Sequence, residues 1–298
     1  MDLAPILLFT YNRPSHTYST LEALLNNKLS KESELFIFSD GFKNSEDKED
    51  VLKVRNLLRS IDGFKKTHII EHSENYGLAA NIINGVTEIV NRYGKVIVLE
   101  DDLVTSPWFL TFMNEALEKF KDENKIGHIH AFSYPIENLP EAFLIKWVGS
   151  WGWATWKRSW QHFNSDGEEL LRKINERNLS REFDFKGKYP YTRMLRRQVN
   201  GENDSWAIRW NASLFLKDML SVNAGRSMVQ NIGCDGSGVH SGVDEIHTVN
   251  LYKNQLNIDI SNISENKSVR EVFAKYYGKT NSKYAKAKRM INRYFRRS

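Results

Sequence analysis

Short apolar runs alternate with amphipathic stretches over the first hundred residues, and this alternation limits the folds that the chain can adopt. The apolar runs are PILLFT, LFIFS, THIIE and VIVL, which end at residues 10, 39, 71 and 99. The stretches between them carry aliphatic residues at helical spacing, most clearly over 78–90. Strands that are apolar throughout and alternate with helices predict an α/β fold, with a mainly parallel sheet that helices cover on both faces.

In the second half of the chain the pattern changes. We predict shorter strands at 126–133 and 143–148 and a tryptophan-rich loop at 149–156. No linker rich in proline, glycine or serine divides the sequence. We therefore expect one domain over residues 1–278, followed by a basic tail at 279–298.

Polar residues follow each of the four apolar runs of the first half directly. These tips are Thr10-Tyr11-Asn12-Arg13, Ser39-Asp40-Gly41, Glu71-His72 and Glu100-Asp101-Asp102. In an open parallel sheet the ligand lies beyond the carboxyl ends of the strands. The tips are therefore expected to line one binding site.

The acid triplet Glu100-Asp101-Asp102 is the most informative of these tips. Three adjacent carboxylates at the end of a buried strand are unfavourable unless a cation or hydrogen-bond donors meet them. One or two carboxylates, together with substrate phosphates, are the usual ligands of Mg²⁺, and Mn²⁺ takes similar oxygen ligands. The triplet is therefore interpreted either as a metal site or as the acid-rich start of a helix. The helix interpretation rests on Thr105-Ser106-Pro107, which follows the triplet, and on the preference of acids for helix N-termini.

Motifs of other ligand sites are missing from the sequence. No Gly-x-Gly-x-x-Gly follows the first strand, and no Gly-x-x-x-x-Gly-Lys-Ser/Thr occurs, so a dehydrogenase and a P-loop enzyme lose their main support. Cys234 is the one cysteine, which excludes a disulfide framework and a thiolate-rich zinc site.

The basic character of the chain comes from its last twenty residues. Residues 279–298 carry eight lysines and arginines and no acid, so removing them from the net charge of +5 leaves −3. Apolar residues recur there at spacings of three and four, which predicts a basic amphipathic helix on anionic lipid; they are Tyr284, Ala287, Ile291, Tyr294 and Phe295. A disordered solubilising tail and an RNA-binding segment are the alternatives.

Membrane-spanning and export signals are the next classes to consider. No run approaches the roughly 18 apolar residues of a spanning helix, and the apolar start at residues 4–9 is too short for a signal-peptide core. We expect a cytoplasmic protein that is peripheral at the inner face of the cell membrane.

Four segments together carry a family resemblance. Their order and spacing resemble those of inverting glycosyltransferases of the family 2 type, which have the GT-A fold: PILLFTYNRP, LFIFSDG, NYGLAANIINGV and VIVLEDDL. The Glu-Asp-Asp form of the last segment also resembles that of the N-acetylglucosaminyltransferases of N-glycan branching. The resemblance implies a Rossmann-like, mixed but mainly parallel sheet, with a nucleotide-binding half at 1–125 and a donor and acceptor half at 126–278.

The resemblance also implies roles for the residues of the tips. Thr10, Tyr11 and Arg13 are expected to line the nucleotide pocket, and Asp40 is expected to accept a hydrogen bond from the base imide. Glu100 is expected near the ribose and Asp101 near the donor sugar. Asp102 is expected to hold Mn²⁺ or Mg²⁺ on the diphosphate. A surface salt bridge is the other interpretation of Arg13.

The segment Gly201–Trp210 resembles the acidic motif that supplies the catalytic base of these enzymes. An inverting transfer needs one carboxylate beside the acceptor hydroxyl, opposite the leaving group. We predict Asp204 for this role, with Glu202 in reserve, because Asn203 stands where the family has an acid. The alternative for Asp204 is the N-cap of a helix that starts near Trp206.

Two further segments admit both a functional and a structural interpretation. The glycine-rich stretch 233–240 ends in His240, which is either a ligand of the metal or diphosphate, as the resemblance implies, or a structural histidine. In the loop at 149–156, Trp151 or Trp153 either stacks on a donor or acceptor sugar or fills the core. The flanking glycines of this loop favour a substrate contact.

These features predict a metal-dependent, inverting glycosyltransferase. It would move a sugar from a nucleotide-diphosphate donor, expected to be a UDP-sugar, to a hydroxyl of a glycan acceptor. The expected acceptor is a lipid-linked glycan in the synthesis of a bacterial surface polysaccharide.

Two other functional classes stay open. One is a two-metal phosphodiesterase or nucleotide-sugar hydrolase that uses Asp102, Asp235 and His240 and has water as its acceptor. The other is a nucleic-acid-binding protein led by the basic tail. The net negative charge of residues 1–278 argues against the latter, so no nucleic-acid partner is expected.

Overall fold

The computed structural model describes residues 2–234 and 248–282. The strands within these ranges are β1 Ile6–Thr10, β2 Glu34–Ser39, β3 Lys66–Glu71, β4 Lys95–Glu100, β5 Leu103–Thr105, β6 Ile126–His130, β7 Ala142–Ile145, β8 Trp153–Trp156, β9 Leu220–Ala224 and β10 Val229–Asn231. The α-helices are α1 Pro14–Leu25, α2 Lys48–Arg59, α3 Leu78–Tyr93, α4 Phe109–Lys119, α5 Lys157–Trp160, α6 Gly167–Glu176, α7 Ser180–Phe183, α8 Tyr191–Val199, α9 Trp206–Leu216 and α10 Lys267–Thr280, with a 3₁₀ turn at Ser30–Glu32.

The described part of the chain contains one eight-stranded sheet, in the order β3-β2-β1-β4-β8-β6-β9-β7. The first four of these strands pair in parallel, and β6 pairs in parallel with β9. Strands β8 and β7 run antiparallel to their neighbours. The predicted α/β fold, with a mixed but mainly parallel sheet flanked by helices, is confirmed.

Local sequence patterns account well for the first half of the sheet. The strands predicted there are confirmed to within one residue at each end, as β1, β2, β3 and β4. Helix α3 buries the predicted aliphatic face, including Ile82, Val86 and Ile89, against the sheet. At Gly85 a Cβ atom would lie 2.9 Å from the Phe9 ring, so glycine lets this helix approach strand β1 closely.

The predicted tryptophan-rich loop at 149–156 is partly wrong. Its second half is strand β8, which lies between β4 and β6 and is buried along its whole length. Trp153, a candidate for sugar stacking, is 1% exposed and stacks on His128 and Trp206 in the core. The chain enters the strand through Gly152, whose φ of +66° only glycine adopts readily, so this glycine serves a turn.

Strand predictions in the second half were less accurate at their ends. Strand β6 ends at His130 instead of 133, because its pairing with β9 stops there. Strand β7 occupies Ala142–Ile145 instead of 143–148, since its partners on β9 end at Ser221.

A small second sheet joins distant parts of the chain. Strand β5, which follows the acid triplet, pairs antiparallel with β10, so that Leu103 lies opposite Asn231. Sequence periodicity did not predict either three-residue strand. Their pairing carries residues 231–234 to the carboxyl edge of the main sheet.

Helices of the second half build a separate aromatic core cluster. Helix α10 begins at the N-cap Asn266 and packs Phe273 and Tyr277 into this cluster. It ends at Thr280 and so crosses the predicted start of the tail at 279. Residues 283–298, which hold the rest of the predicted amphipathic helix, lie outside the described residues. Within residues 2–234 and 248–282, no helix has the length and apolar character needed to cross a bilayer.

Candidate active site

The strand order creates a switch point between β1 and β4. From β1 the chain proceeds to β2 and β3 on one side of the sheet, and it then returns to place β4 on the other side of β1. In open α/β sheets such a switch point forms a crevice beyond the carboxyl ends of the two strands, and ligands bind there. Arg13 follows β1, and the acid triplet closes β4.

Arg13 lies against both aspartates of the triplet. Its Nη2 atom is 2.5 Å from Oδ1 of Asp101 and 3.0 Å from Oδ2 of Asp102. The backbone N–H of Tyr11 donates to Oδ2 of Asp101 at 3.3 Å. Arg13 thus forms a salt bridge, as one interpretation held, but within the crevice, where both carboxylates are buried.

Burial and mutual repulsion shift the protonation of these groups. Burial, followed by the charges of Asp102 and Asp101, raises the pKa of Glu100 to about 8. Burial also raises the pKa of Asp101, although the charge of Arg13 opposes this effect. Burial alone would lower the pKa of Arg13, but the two aspartates outweigh it and raise that pKa. Two buried aspartates against one guanidinium leave an environment that favours further positive charge.

Asp102 is the residue best placed to hold a divalent cation. Oδ1 of Asp102 lies 3.4 Å from Nδ2 of Asn231, and its backbone carbonyl accepts from Ile232 at 2.8 Å. A Cβ atom at Gly233 would lie 2.2 Å from Oδ2 of Asp102, so only glycine leaves this carboxylate its space. The oxygen donors fit Mn²⁺ or Mg²⁺, which prefer carboxylate and phosphate oxygens.

The remainder of such a ligand set would have to come from substrate or from undescribed residues. Within the described ranges, no group of three or more histidine, cysteine, aspartate or glutamate side chains is placed to hold a metal ion. A magnesium-type site with one or two carboxylates, water and substrate phosphate is consistent with this finding. His240 and Asp235 lie outside the described residues.

Thr10 and Tyr11 occupy the end of β1 as predicted. The Thr10 hydroxyl is buried and has no hydrogen-bond partner among the described residues. The Tyr11 hydroxyl donates to Oδ2 of Asp47 at 2.8 Å, and Asn12 donates to the other oxygen of that carboxylate. Burial and the hydrogen bond to Asp47 raise the pKa of Tyr11 to about 12, so its hydroxyl stays protonated.

Asp40 organises the loop that precedes helix α3. Its buried carboxylate accepts hydrogen bonds from the backbone N–H groups of Gly41, Tyr76 and Gly77 and from the side chain of Asn75, at 2.9–3.1 Å. These contacts hold the segment Asn75-Tyr76-Gly77 beside the end of β2. The predicted contact of Asp40 with a nucleotide base stays a prediction.

The two candidate bases lie just before helix α9. Ser205, not Asp204, caps this helix, because its Oγ accepts from the N–H of Ile208 at 3.3 Å; the N-cap interpretation of Asp204 is wrong. Oδ1 of Asp204 is 2.7 Å from Nη2 of Arg209, yet 74% of the Asp204 side chain is exposed. Glu202 is exposed, and hydrogen bonds from Asn200 and Arg197 lower its pKa.

An aromatic cleft of about 210 Å³ opens beside α9. We call it the aromatic cleft and define it by its lining residues: His130, Phe132, Tyr134, Trp147, Val148, Gly149, Ser150, Trp151, Tyr189, Tyr191, Met194, Ser205, Ala207, Ile208 and Asn211. Trp151, a predicted sugar contact, is half-buried in its wall. The other aromatic residues of the cleft were not predicted, because the strand ends and helices that carry them are distant in sequence.

Sequence reasoning also missed Asn231. A lone asparagine in a three-residue strand carries no periodic signal, and it lies 129 positions after Asp102. The nearest available signal was the glycine-rich stretch that begins at Gly233, since glycines permit close backbone approach.

Comparisons with known proteins bear on this geometry. Residues 6–203 match the model of the family described as Glycosyl transferase family 2, and no protein with curated annotation matches the sequence significantly. One solved structure that is similar is that of the mannosyltransferase PcManGT from Pyrobaculum calidifontis in complex with GDP-Man and Mn²⁺. Its sequence identity with this chain is 12% and the TM-score is 0.39. The alignment covers 72% of this chain and 76% of that chain. TarS from S. aureus is similar at 14% identity and a TM-score of 0.32, covering 47% of this chain and 23% of that chain. This chain thus spans about a quarter of the length of TarS.

The family match ends one residue before Asp204 but includes the whole switch point, with Arg13 and the acid triplet. It covers about two thirds of the 298 residues. The chain therefore belongs to glycosyl transferase family 2 and is a glycosyltransferase.

Proposed function

We propose that this glycosyltransferase moves a sugar from a nucleotide-diphosphate donor to a hydroxyl of a glycan acceptor, with inversion at the anomeric carbon. The observation that supports this most directly is the convergence of Arg13, Asp101 and Asp102 at the switch point of the sheet. A cationic side chain beside buried carboxylates suits a ligand that brings both a diphosphate and a divalent cation.

The residues after β1 would hold the donor nucleotide. The Thr10 hydroxyl, which has no partner among the described residues, offers a buried hydrogen-bonding group at the strand end. Arg13 offers the positive charge for the diphosphate. Asp40 would act near the base, through its own carboxylate or through the loop that it holds. A UDP-sugar is the donor that the family resemblance favours.

Asp102 would hold Mn²⁺ or Mg²⁺ on the donor diphosphate. When bound, such a cation stabilises the negative charge that develops on the leaving diphosphate. Gly233 keeps the space beside the carboxylate open, and Asn231 orients its second oxygen. His240 is proposed as a further ligand from the family resemblance alone.

Asp204 would remove the proton from the acceptor hydroxyl. Its carboxylate is exposed at the start of α9, next to Ser205 in the wall of the aromatic cleft. One oxygen is held by Arg209, which fixes the orientation of the carboxylate, and an acceptor hydroxyl can reach the carboxylate from solvent. Glu202 is the weaker candidate, because its carboxylate pairs with Arg197 on the surface.

A lipid-linked glycan at the inner face of a bacterial membrane is the proposed acceptor, with surface polysaccharide as the product. The basic residues of 279–298 would hold the enzyme at this membrane, at roughly 1 kcal/mol for each charge near an anionic leaflet. Helix α10 leads directly into this segment from the aromatic core of the second half.

A thermal-shift screen tests donor binding. UDP, GDP and a panel of nucleotide sugars are added with Mn²⁺ or with chelator. A ligand that binds the folded state raises the melting temperature in proportion to the logarithm of its concentration over Kd. At least one nucleotide diphosphate should stabilise the protein in Mn²⁺ and lose most of this effect in chelator. Equal stabilisation in chelator, or none by any member, contradicts the proposal.

Product analysis separates transfer from hydrolysis. A hydrolase releases free sugar from the nucleotide sugar at a rate that no glycan changes. The proposed transferase releases nucleotide diphosphate faster when a glycan acceptor is present, and the sugar appears on the acceptor with inverted anomeric configuration.

A further inference from the structure

We propose that the aromatic cleft is the acceptor subsite and that it takes an uncharged pyranose ring, a neutral hexose or N-acetylhexosamine. This inference rests on the proposed transferase function and specifies its acceptor. It excludes a uronic acid or a phosphorylated sugar from this position.

Flat ring surfaces dominate the wall of the cleft. Tyr134, Trp151 and Tyr189 are half-buried, so each presents part of a ring to the space between them. The edge-on packing of Phe132 against Trp151, with centroids 4.7 Å apart, fixes the orientation of the indole. Aromatic faces combine a large apolar area with few rotatable bonds, which suits the C–H face of a sugar ring.

The size of the cleft favours a single sugar over a nucleotide. Its volume of about 210 Å³ is below the roughly 300–1,000 Å³ that is usual for sites of drug-sized ligands. Of the residues proposed for the nucleotide or the metal, those that the structure describes all lie outside it. The base and diphosphate of the donor therefore belong to the crevice between β1 and β4.

The described wall of the cleft carries no ionised group. Its lining contains no aspartate, glutamate, lysine or arginine among the described residues. Among these lining residues His130 is the one with a titratable base. Burial lowers the pKa of His130 to about 3, so its imidazole is neutral at physiological pH. A carboxylate or phosphate entering this wall would lose water without gaining a charged partner. Ser150, Ser205 and Tyr191 supply neutral hydrogen-bonding groups for sugar hydroxyls instead.

The strand order places the cleft beside the proposed chemistry. One strand, β8, separates β4 from β6, and Trp151 precedes β8 while His130 ends β6. Because β8 runs antiparallel to both neighbours, Trp151 and His130 both lie at the carboxyl edge where the acid triplet is found. On the other side, Ser205 lines the cleft and directly follows Asp204, the proposed base. A sugar in the cleft thus lies between the donor crevice and the carboxylate that would take its proton.

Saturation-transfer NMR on the full chain tests the inference without donor. The probes are methyl β-D-glucopyranoside, methyl N-acetyl-β-D-glucosaminide and methyl β-D-glucuronide at equal millimolar concentration. At least one neutral probe should receive saturation from the protein, and the glucuronide should receive little. Absence of transfer to both neutral probes, or equal transfer to the glucuronide, would overturn the inference.

Variants connect the signal to the cleft. Trp151→Leu keeps an apolar side chain but removes the ring, and it should weaken binding by about two- to tenfold, the usual contribution of one aromatic contact. Trp108→Leu is the matched control, because Trp108 is also partly buried against the same core cluster but lies outside the cleft. Ala207→Trp should abolish binding by filling the space without deleting a contact. Unchanged binding in Trp151→Leu and Ala207→Trp, with melting temperatures near wild type, would overturn the assignment.

Two further arms separate this inference from the proposed function. Asp102→Asn should bind the neutral probe as wild type does, since Asp102 is not part of the cleft. Adding the nucleotide sugar that stabilises the protein in Mn²⁺ should leave the probe bound; displacement would identify the cleft as the donor-sugar site and overturn the inference. If neutral sugars bind but no nucleotide diphosphate does, the proposed function fails and the cleft remains a sugar site.

Discussion

The guanidinium of Arg13 lies 3.0 Å from Oδ2 of Asp102, the oxygen beside which Gly233 keeps space open. The carboxylate proposed to hold a divalent cation thus already has a cationic partner. A donor diphosphate would offer Arg13 a second anion to bind. We therefore expect the donor and the metal to bind cooperatively. The diphosphate would neutralise Arg13 when the cation takes its place at Asp102, and the cation would neutralise Asp102 when Arg13 turns to the diphosphate.

Replacing Arg13 should uncouple the two ligands. In Arg13→Gln, Mn²⁺ should bind the donor-free protein about tenfold more tightly than in wild type, because the competing charge is gone. A tenfold change in Kd corresponds to a binding free energy of about 1.4 kcal/mol. This is less than the repulsion of ~4 kcal/mol between two like unit charges 4 Å apart near a protein surface. Titration calorimetry with Mn²⁺, without and with UDP or GDP, measures both affinities. Weaker Mn²⁺ binding in the variant would show that Arg13 does not compete with the metal.

Removing the charge of Asp102 should eliminate the metal dependence. Asp102→Asn is nearly isosteric, so the fold should persist, but a neutral amide is a poor ligand for a hard cation. The Mn²⁺-dependent part of the thermal shift by nucleotide diphosphate and the transfer activity should both be lost. Circular dichroism controls for folding. Transfer at the wild-type rate in excess chelator would contradict the proposed role.

Glu100 should make stability depend on pH. Its pKa is about 8 in the folded protein, against an ordinary value of 4.5, so the folded state binds this proton more tightly than the unfolded chain. Through this group the free energy of unfolding decreases as pH rises from about 4.5 to about 8. Glu100→Gln should remove that decrease and become more stable relative to wild type at alkaline pH. Urea titrations in chelator at pH 4.5, 7 and 9 measure it, and a constant difference across pH would exclude the shift.

The assignment of the base can be tested with a matched pair of variants. Asp204→Asn should reduce turnover by about 10²–10⁴-fold, the usual contribution of a positioned proton acceptor, with donor affinity unchanged. Glu202→Gln should have little effect on turnover, because this carboxylate is exposed and pairs with Arg197 on the surface, away from the aromatic cleft. Steady-state kinetics and the thermal shift by donor provide the two readouts. A large loss only in Glu202→Gln would transfer the role to Glu202.

Removing the basic tail should release the enzyme from lipid. The truncation is made after Ser282, because helix α10 ends at Thr280 and buries Tyr277. The full chain should co-sediment with anionic vesicles and dissociate as salt rises, since exposed charges are screened. The truncated chain should stay in the supernatant and keep transfer to a water-soluble acceptor. Continued pelleting would place the membrane contact elsewhere.

Local patterns in the sequence determined the parallel half of the sheet and the position of its polar tips. A fully apolar run marks a buried strand and a helical stripe marks an amphipathic helix, so β1 to β4 and most of α3 could be predicted. The parallel arrangement follows from their alternation, and it puts Arg13 and the acid triplet at one edge.

Only the tertiary structure decided which distant residues meet. Arg13 contacts Asp101 across 88 positions and Asn231 approaches Asp102 across 129, through pairings that local periodicity does not record. Strand β8 was missed because it is only four residues long and its two tryptophans gave it the composition of a binding loop. The aromatic cleft combines residues from β6, the turn before β8, α8 and α9. Its shape and neutrality arise from packing between these elements, which no single segment specifies.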